Sequence, residues 1–221
     1  MEGTIGIQSQ MLAVSDMTSG GDYDQSIASF NDAVDLADEA LNRLIDAGLM
    51  EASQIDEVTT AIQLHLSRTQ TIFGTFQEFE ETKRDFNSLV SEFVQLGEEM
   101  EAIGDGAVEE IEANPTGLYQ WEGDLDQRWA AADGGMESNI GLLWGLFHVE
   151  RLLAQDGDTA EAEKEILAAL EFQREASNEM LSSGRFDINA GPDWDNTTYS
   201  ALYKDYFEAY ESTLLTLISK T

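Results

Sequence analysis

Apolar residues recur along the chain at alternating steps of three and four, the spacing of one face of an α-helix. The two-residue rhythm of a strand is nearly absent. Six helical segments follow from this pattern. The first spans roughly residues 4–18 and stops at Ser19-Gly20-Gly21. The second opens at Asp22, whose carboxylate suits an N-cap, and carries Ile27, Phe30, Val34, Ala37, Leu41 and Leu44 on one seam. Gly48 ends it as a C′ glycine. The third, capped by Ser53, carries the longest seam: Ile62, His65, Thr69, Ile72, Phe76, Phe79, Lys83, Phe86, Val90, Phe93, Gly97 and Met100. A helix from about residue 55 to 111 is roughly 85 Å long at 1.5 Å per residue. The expected fold is therefore all-α, an elongated antiparallel helical bundle.

Asn114-Pro115-Thr116-Gly117 breaks the long helix. A fourth segment begins around 118–126, kinks near Gly134-Gly135 and continues through Ile140, Trp144, Phe147 and Arg151 to the turn Asp156-Gly157-Asp158. The fifth reaches Leu181 with Gly184 as its C′ residue. The last carries Tyr199, Leu202, Tyr206, Tyr210, Thr213 and Leu217. Residues 19–48 and 155–184 align without a gap. Gly21, Asp22, Ala33, Glu39, Ala40, Asn42 and Gly48 meet Gly157, Asp158, Ala169, Glu175, Ala176, Asn178 and Gly184. The expected organisation is two stacked helical modules, 1–90 and 91–221, that share the long helix.

Composition supports folding. Hydrophobic residues make up 42% of the chain, and only Pro115 and Pro192 act as helix breakers of that type. Charge narrows the partners. With 44 Asp and Glu against 11 Lys and Arg, the formal net charge is −33, a field that repels nucleic-acid phosphates and anionic membrane surfaces. Two readings account for the acid: a surface kept hydrated in concentrated salt, or attraction of a cationic ligand or partner. The chain has no cysteine, which removes disulfides and thiolate metal sites. No apolar run reaches the roughly 18 residues of a membrane span. Both ends read as though cut through helices, as in a domain lying between two membrane spans.

Catalytic signatures are lacking. No Gly-rich phosphate loop or nucleophile elbow occurs, and neither His65 nor His148 belongs to a Glu-x-x-His pair. The chain is read as a non-enzyme, with no cofactor and no metal site. Polar breaks in the apolar seams say more. His65 sits in the third seam with Arg68 one turn away and Arg43 near the end of the preceding helix; such residues either fix helix register or hold a carboxylate ligand. The main candidate cluster is Trp129, Trp144, His148 and Arg151, with Arg128 at its edge. Trp144, His148 and Arg151 fall on one helical stripe and Trp129 arrives across the Gly-rich kink. This group is either an aromatic core with a salt bridge or a pocket for a small anion or zwitterion.

The paired Gly21-Asp22 and Gly157-Asp158 turns, the Phe79–Met100 run with phenylalanine every seventh residue, and the Tyr-rich segment Tyr199–Leu217 together resemble the helical bimodular sensor domain. That domain is the extracytoplasmic part of methyl-accepting chemotaxis proteins and some sensor histidine kinases. The resemblance implies a periplasmic domain of an inner-membrane receptor that binds a small organic acid, amino acid or other polar metabolite between helices, or contacts a periplasmic binding protein. It implies a homodimer, anchored through flanking spans outside this chain. An acidic helical adaptor that binds another protein is the alternative.

Overall fold

The computed structural model describes residues 2–19, 21–154 and 157–220, with the side chains of 2–4 and 122 set aside. Gly20, Gln155 and Asp156, which the sequence places in the two repeated turns, lie outside the described residues. Among the described residues there are six α-helices: α1 (Glu2–Thr18), α2 (Tyr23–Asp46), α3 (Ala52–Ala113), α4 (Asp126–Leu153), α5 (Thr159–Ser182) and α6 (Tyr199–Ile218). A π-helical turn at Trp121–Leu125 leads into α4, and a short 3-10 turn at Pro192–Trp194 precedes α6. No strand occurs among the described residues beyond one isolated bridge between Asn189 and Thr198. The all-α fold class is thus observed. No described helix is long and apolar enough to cross a membrane.

Two compact units divide the chain, Met1–Glu81 and Thr82–Thr221, and α3 contributes to both. In the first unit, α1 and α2 form an antiparallel hairpin. Gly6 lets them come close, because a Cβ there would lie 2.9 Å from both the Ala33 carbonyl oxygen and the Ala37 Cβ. Ala13, Met17, Phe30 and Phe73 make the core, with Phe30 and Phe73 edge-on at 5.2 Å. The core turns to Phe73 where the sequence pattern placed Ile72, which is exposed. A helix packed against two neighbours buries a stripe wider than a two-helix seam, so the buried positions slide by one residue.

The second unit repeats this hairpin with α4 and α5. Gly134 and Gly141 bring the backbones together: a Cβ on the first would sit 2.7 Å from the Met180 nitrogen, and on the second 2.8 Å from the Gln173 Cβ. α4 remains helical through Gly134-Gly135, where the sequence suggested a kink, without a break. Gly134 serves close packing there. Against the hairpin lie the rest of α3, through Phe86, Phe93, Leu96 and Met100, and α6, through Tyr203, Phe207, Tyr210, Leu214 and Leu217. On α6 the buried stripe again moves by one residue, from Leu202, Tyr206 and Thr213 to Tyr203, Phe207 and Leu214.

The repeat extends to cap geometry. Asp22 Oδ1 accepts the Gln25 N–H at 2.8 Å, and Asp158 Oδ1 accepts those of Ala160 and Glu161 at 3.0 and 3.4 Å. Each helix then runs 24 residues and is followed by a left-handed glycine, Gly48 at φ 66° or Gly184 at φ 68°. Ser53 does not cap α3. The helix starts at Ala52, and the Gln54 side chain turns back to accept the Glu51 N–H at 3.0 Å, one half of a capping box.

Candidate functional site

In the first unit the aromatic core does not extend the full length of the three helices. Ala37 of α2 and Ala61 of α3 are too small to fill the space that lies at their level. A cavity of about 270 Å³ remains, walled by Ile7 of α1, Val34 of α2, and Val58, Ile62 and Leu66 of α3. Three polar side chains line it: Gln10, Asp38 and His65. Gln10 is 3% exposed, and its amide Nε2 donates to the Ala33 carbonyl at 3.2 Å. Its Oε1 is buried without a partner among the described residues, and so is Nε2 of His65. An orphaned buried polar atom costs about 1–3 kcal/mol. Both belong to residues that line this almost wholly apolar cavity. The exposed Asp38 adds a negative charge.

The arginines expected beside His65 are not at this cavity. Arg43 is exposed and pairs with Glu39 at 2.7 Å, and Arg68 is exposed on α3. Among the described residues no arginine or lysine lines the space. A carboxylate ligand would find Asp38 there and no cation.

The second cluster is dispersed by the continuity of α4. Trp129 and His148 are 19 residues apart on one continuous helix, roughly 28 Å at 1.5 Å per residue, too far to share a small-ligand pocket. Trp129 is exposed. Trp144 packs edge-on to Phe172 with ring centroids 6.3 Å apart. His148 is buried with its ring edge-on to Phe147 at 5.1 Å, and its Nδ1 has no partner among the described residues. The guanidinium of Arg151 lies over the turn glycine, 3.0 Å from where a Gly157 Cβ would be.

Arg128 is structural. Its Nη1 donates to the Ala107 carbonyl at 2.6 Å and to Glu110 at 2.5 Å, and its Nε donates to Asp124 at 2.9 Å. The hydrogen bond and positive charge of Arg128 hold the Glu110 carboxyl below its ordinary pKa. Three oxygens thus occupy this guanidinium, which ties the end of α3 to the π-helical turn.

Several other polar groups in the second unit are taken up by packing, although Gln173 Oε1 is buried without a partner among the described residues. Tyr203 OH accepts from Ser177 at 2.9 Å and from Gln173 at 3.2 Å, and it bonds to Ser138, a network at the centre of the bundle. Burial raises the Tyr203 phenol pKa. Glu99 Oε2 accepts from Trp194 Nε1 and from Tyr199 OH, both at 3.0 Å, fastening the loop before α6 onto α3. Tyr206 OH donates to Glu92 at 2.5 Å; burial first, then that bond and the negative charge, push its pKa up to about 12. Among the described residues no group of three or more His, Asp or Glu is placed to hold a metal ion.

Of the polar residues at this cavity, the sequence singled out His65 and not Gln10 or Asp38. Gln10 had a visible signal, since Gly6, Gln10, Ala13 and Met17 form a three-four seam on α1 with one polar member. Comparison with family models, with curated proteins and with solved structures finds no match to this chain.

Proposed function

We propose that the chain is the ligand-binding part of an extracytoplasmic sensor, a chemoreceptor-type domain whose first unit takes a small molecule into the cavity between α1, α2 and α3. The observation that carries this reading is the pair of unsatisfied buried atoms, Gln10 Oε1 and His65 Nε2, at an otherwise apolar cavity. A protein selected for stability alone would replace them with carbon, because each orphan lowers stability. The lining sets the ligand class. It is compact, mostly apolar, carries one hydrogen-bonding head, and is neutral or cationic in view of Asp38. This departs from the organic acid that the family resemblance implies.

Signalling requires the ligand to prefer one packing of the three helices over another. α3 supplies residues to both units, which gives a displacement of its cavity segment a covalent route to the second.

The test is a thermal-unfolding series with three probes on one carbon skeleton: cyclohexanol, cyclohexylamine and cyclohexanecarboxylate. The alcohol or the amine is expected to raise the first-unit midpoint and the acid to leave it unchanged. His65→Leu removes an orphan and fills space. It is expected to stabilise the ligand-free protein by about 1–3 kcal/mol and to abolish the probe-dependent shift. No shift with any probe, or an equal shift in His65→Leu, overturns the reading.

A further inference from the structure

Asparagine followed two positions later by Ser or Thr occurs twice in the chain, at Asn114-Pro115-Thr116 and at Asn196-Thr197-Thr198. Only the second has a middle residue other than proline, which makes it an acceptor sequence for N-linked sugar. The exclusion of proline is geometric. The hydroxyl of the third residue must fold back toward the amide of the first, and a ring that fixes φ between them, with the preceding residue held extended, prevents it.

The second triplet lies in the connection from α5 to α6. Backbone bonds close the turn: the Asn196 N–H donates to the Gly191 carbonyl and the Ala190 N–H to that of Thr197, both at 2.9 Å. Trp194 pins the turn to α3 through Glu99. Asn189 shapes it with both ends of its amide. Its Nδ2 donates to the Asn196 carbonyl and its Oδ1 accepts the Gly191 N–H, each at 2.7 Å. The side chain of Asn196 does nothing of the kind. It is exposed and holds no hydrogen bond among the described residues. Its backbone sits at φ 56°, in the left-handed region where glycine would be under least strain. An asparagine at such a position, with its amide unused by the fold, points to a use of that amide outside the fold.

We propose that Asn196 is a glycosylation site that carries one oligosaccharide, transferred from a lipid-linked sugar donor. This rests on the extracytoplasmic placement in the reading above, since the modification belongs to surface loops of exported chains. In the transfer, Asn196 Nδ2 forms a bond to the anomeric carbon of the sugar. The bond from that carbon to the lipid phosphate oxygen breaks, its electron pair leaving with the phosphate, and the amide gives up one proton to a base of the transferase. The Thr198 hydroxyl is the second requirement of the acceptor. In the folded chain that hydroxyl is occupied, because it caps α6 by accepting the Ala201 N–H at 3.4 Å. Transfer therefore precedes closure of the connection, and the sugar then stands on the exposed side of the turn. Asn114 is the internal control, exposed as well and disqualified by Pro115 alone.

The experiment is peptide mass spectrometry of the chain isolated from its native cells. Cleavage after Arg and Lys places Asn196 in the peptide 186–204 and Asn114 in 85–128. A sugar mass is expected on 186–204, localised by fragmentation to Asn196 and not to Asn189, with 85–128 bare. Asn196→Gln is expected to lose the sugar with an unchanged helical CD signal, since the side chain it replaces has no partner. Thr198→Ser, which keeps both the hydroxyl and the cap, is expected to retain it. A bare 186–204 peptide in the native chain, a sugar that survives Asn196→Gln, or a sugar on 85–128 overturns the proposal. Its failure is distinct from that of ligand binding. A bare chain whose midpoint still moves with the cyclohexyl probes loses the glycan and keeps the cavity, and a glycosylated chain that ignores the probes does the reverse.

Discussion

Gly104 and Gly106 lie two residues apart on α3, yet one substitution should move stability in opposite directions at the two positions. A Cβ at Gly104 would stand 2.7 Å from the Ala131 carbonyl oxygen and 2.9 Å from the Ala132 Cα, both backbone atoms of α4. At Gly106 nothing lies within 4 Å. Replacing either glycine by alanine gains about 1 kcal/mol of helix propensity. At Gly106 that gain stands alone, so Gly106→Ala should stabilise the second unit by about 0.5–1 kcal/mol. At Gly104 the new methyl must push two helix backbones apart, and overpacking costs about 1–3 kcal/mol. The propensity gain is common to both variants, so their difference isolates the steric cost. The assay is urea unfolding followed by tryptophan fluorescence. All four tryptophans, Trp121, Trp129, Trp144 and Trp194, lie in the second unit, so the signal reports that unit alone. Equal midpoints for Gly104→Ala and Gly106→Ala would refute the close approach of α3 to α4.

Further outcomes concern Tyr206 and the two helix caps. Tyr206 keeps its proton to a pH of about 12 in the folded state while an unfolded tyrosine loses it near 10. Its contribution to stability is therefore full below about pH 10 and is lost as the pH rises toward 12. Glu92→Gln should bring the phenolate absorbance transition of Tyr206 to lower pH, and superimposable titrations would remove Glu92 as a cause. Asp158→Ala should lower the tryptophan-detected midpoint by about 1 kcal/mol through loss of the N-cap. Asp22→Ala should lower helical CD stability by a similar amount while leaving the tryptophan transition in place; an equal shift of that transition would show that unfolding does not follow the two units.

Helix number, the Asp22 and Asp158 caps and the Gly48 and Gly184 stops were legible because each depends on local chemistry within a few residues. What packs against what was not. A three-four alternation marks a face but not its width, so Phe73, Tyr203 and Phe207 displaced their neighbours from the core. Gly134-Gly135 looked like a kink because glycine weakens a helix, whereas at Gly134 the backbone of α5 lies close enough that only glycine fits. Trp144, His148 and Arg151 share a stripe as expected, but the identity of their neighbours is a tertiary fact. Arg128 is claimed by Glu110, Asp124 and Ala107, residues that no spacing rule links to it. His65 was visible as a polar break in an apolar seam. Its partner at the cavity, Gln10, required knowing which face of α1 turns inward.

The two hairpins obey one set of cap and length rules but have parted inside. Ala37 and Gln173 occupy equivalent positions in the repeat, each opposite a close-packed glycine of the preceding helix. In the first copy the short methyl side chain borders open space. In the second the long amide reaches across to Tyr203, and its own Oε1 is buried without a partner among the described residues. A duplicated frame permits a division of labour: one copy can use this position for a hydrogen-bond network while the other leaves space there. Selection on the two interiors should then differ. Substitutions around Gln173 would be purged for lost stability, whereas those around Ala37 would be free to retune which molecule fits.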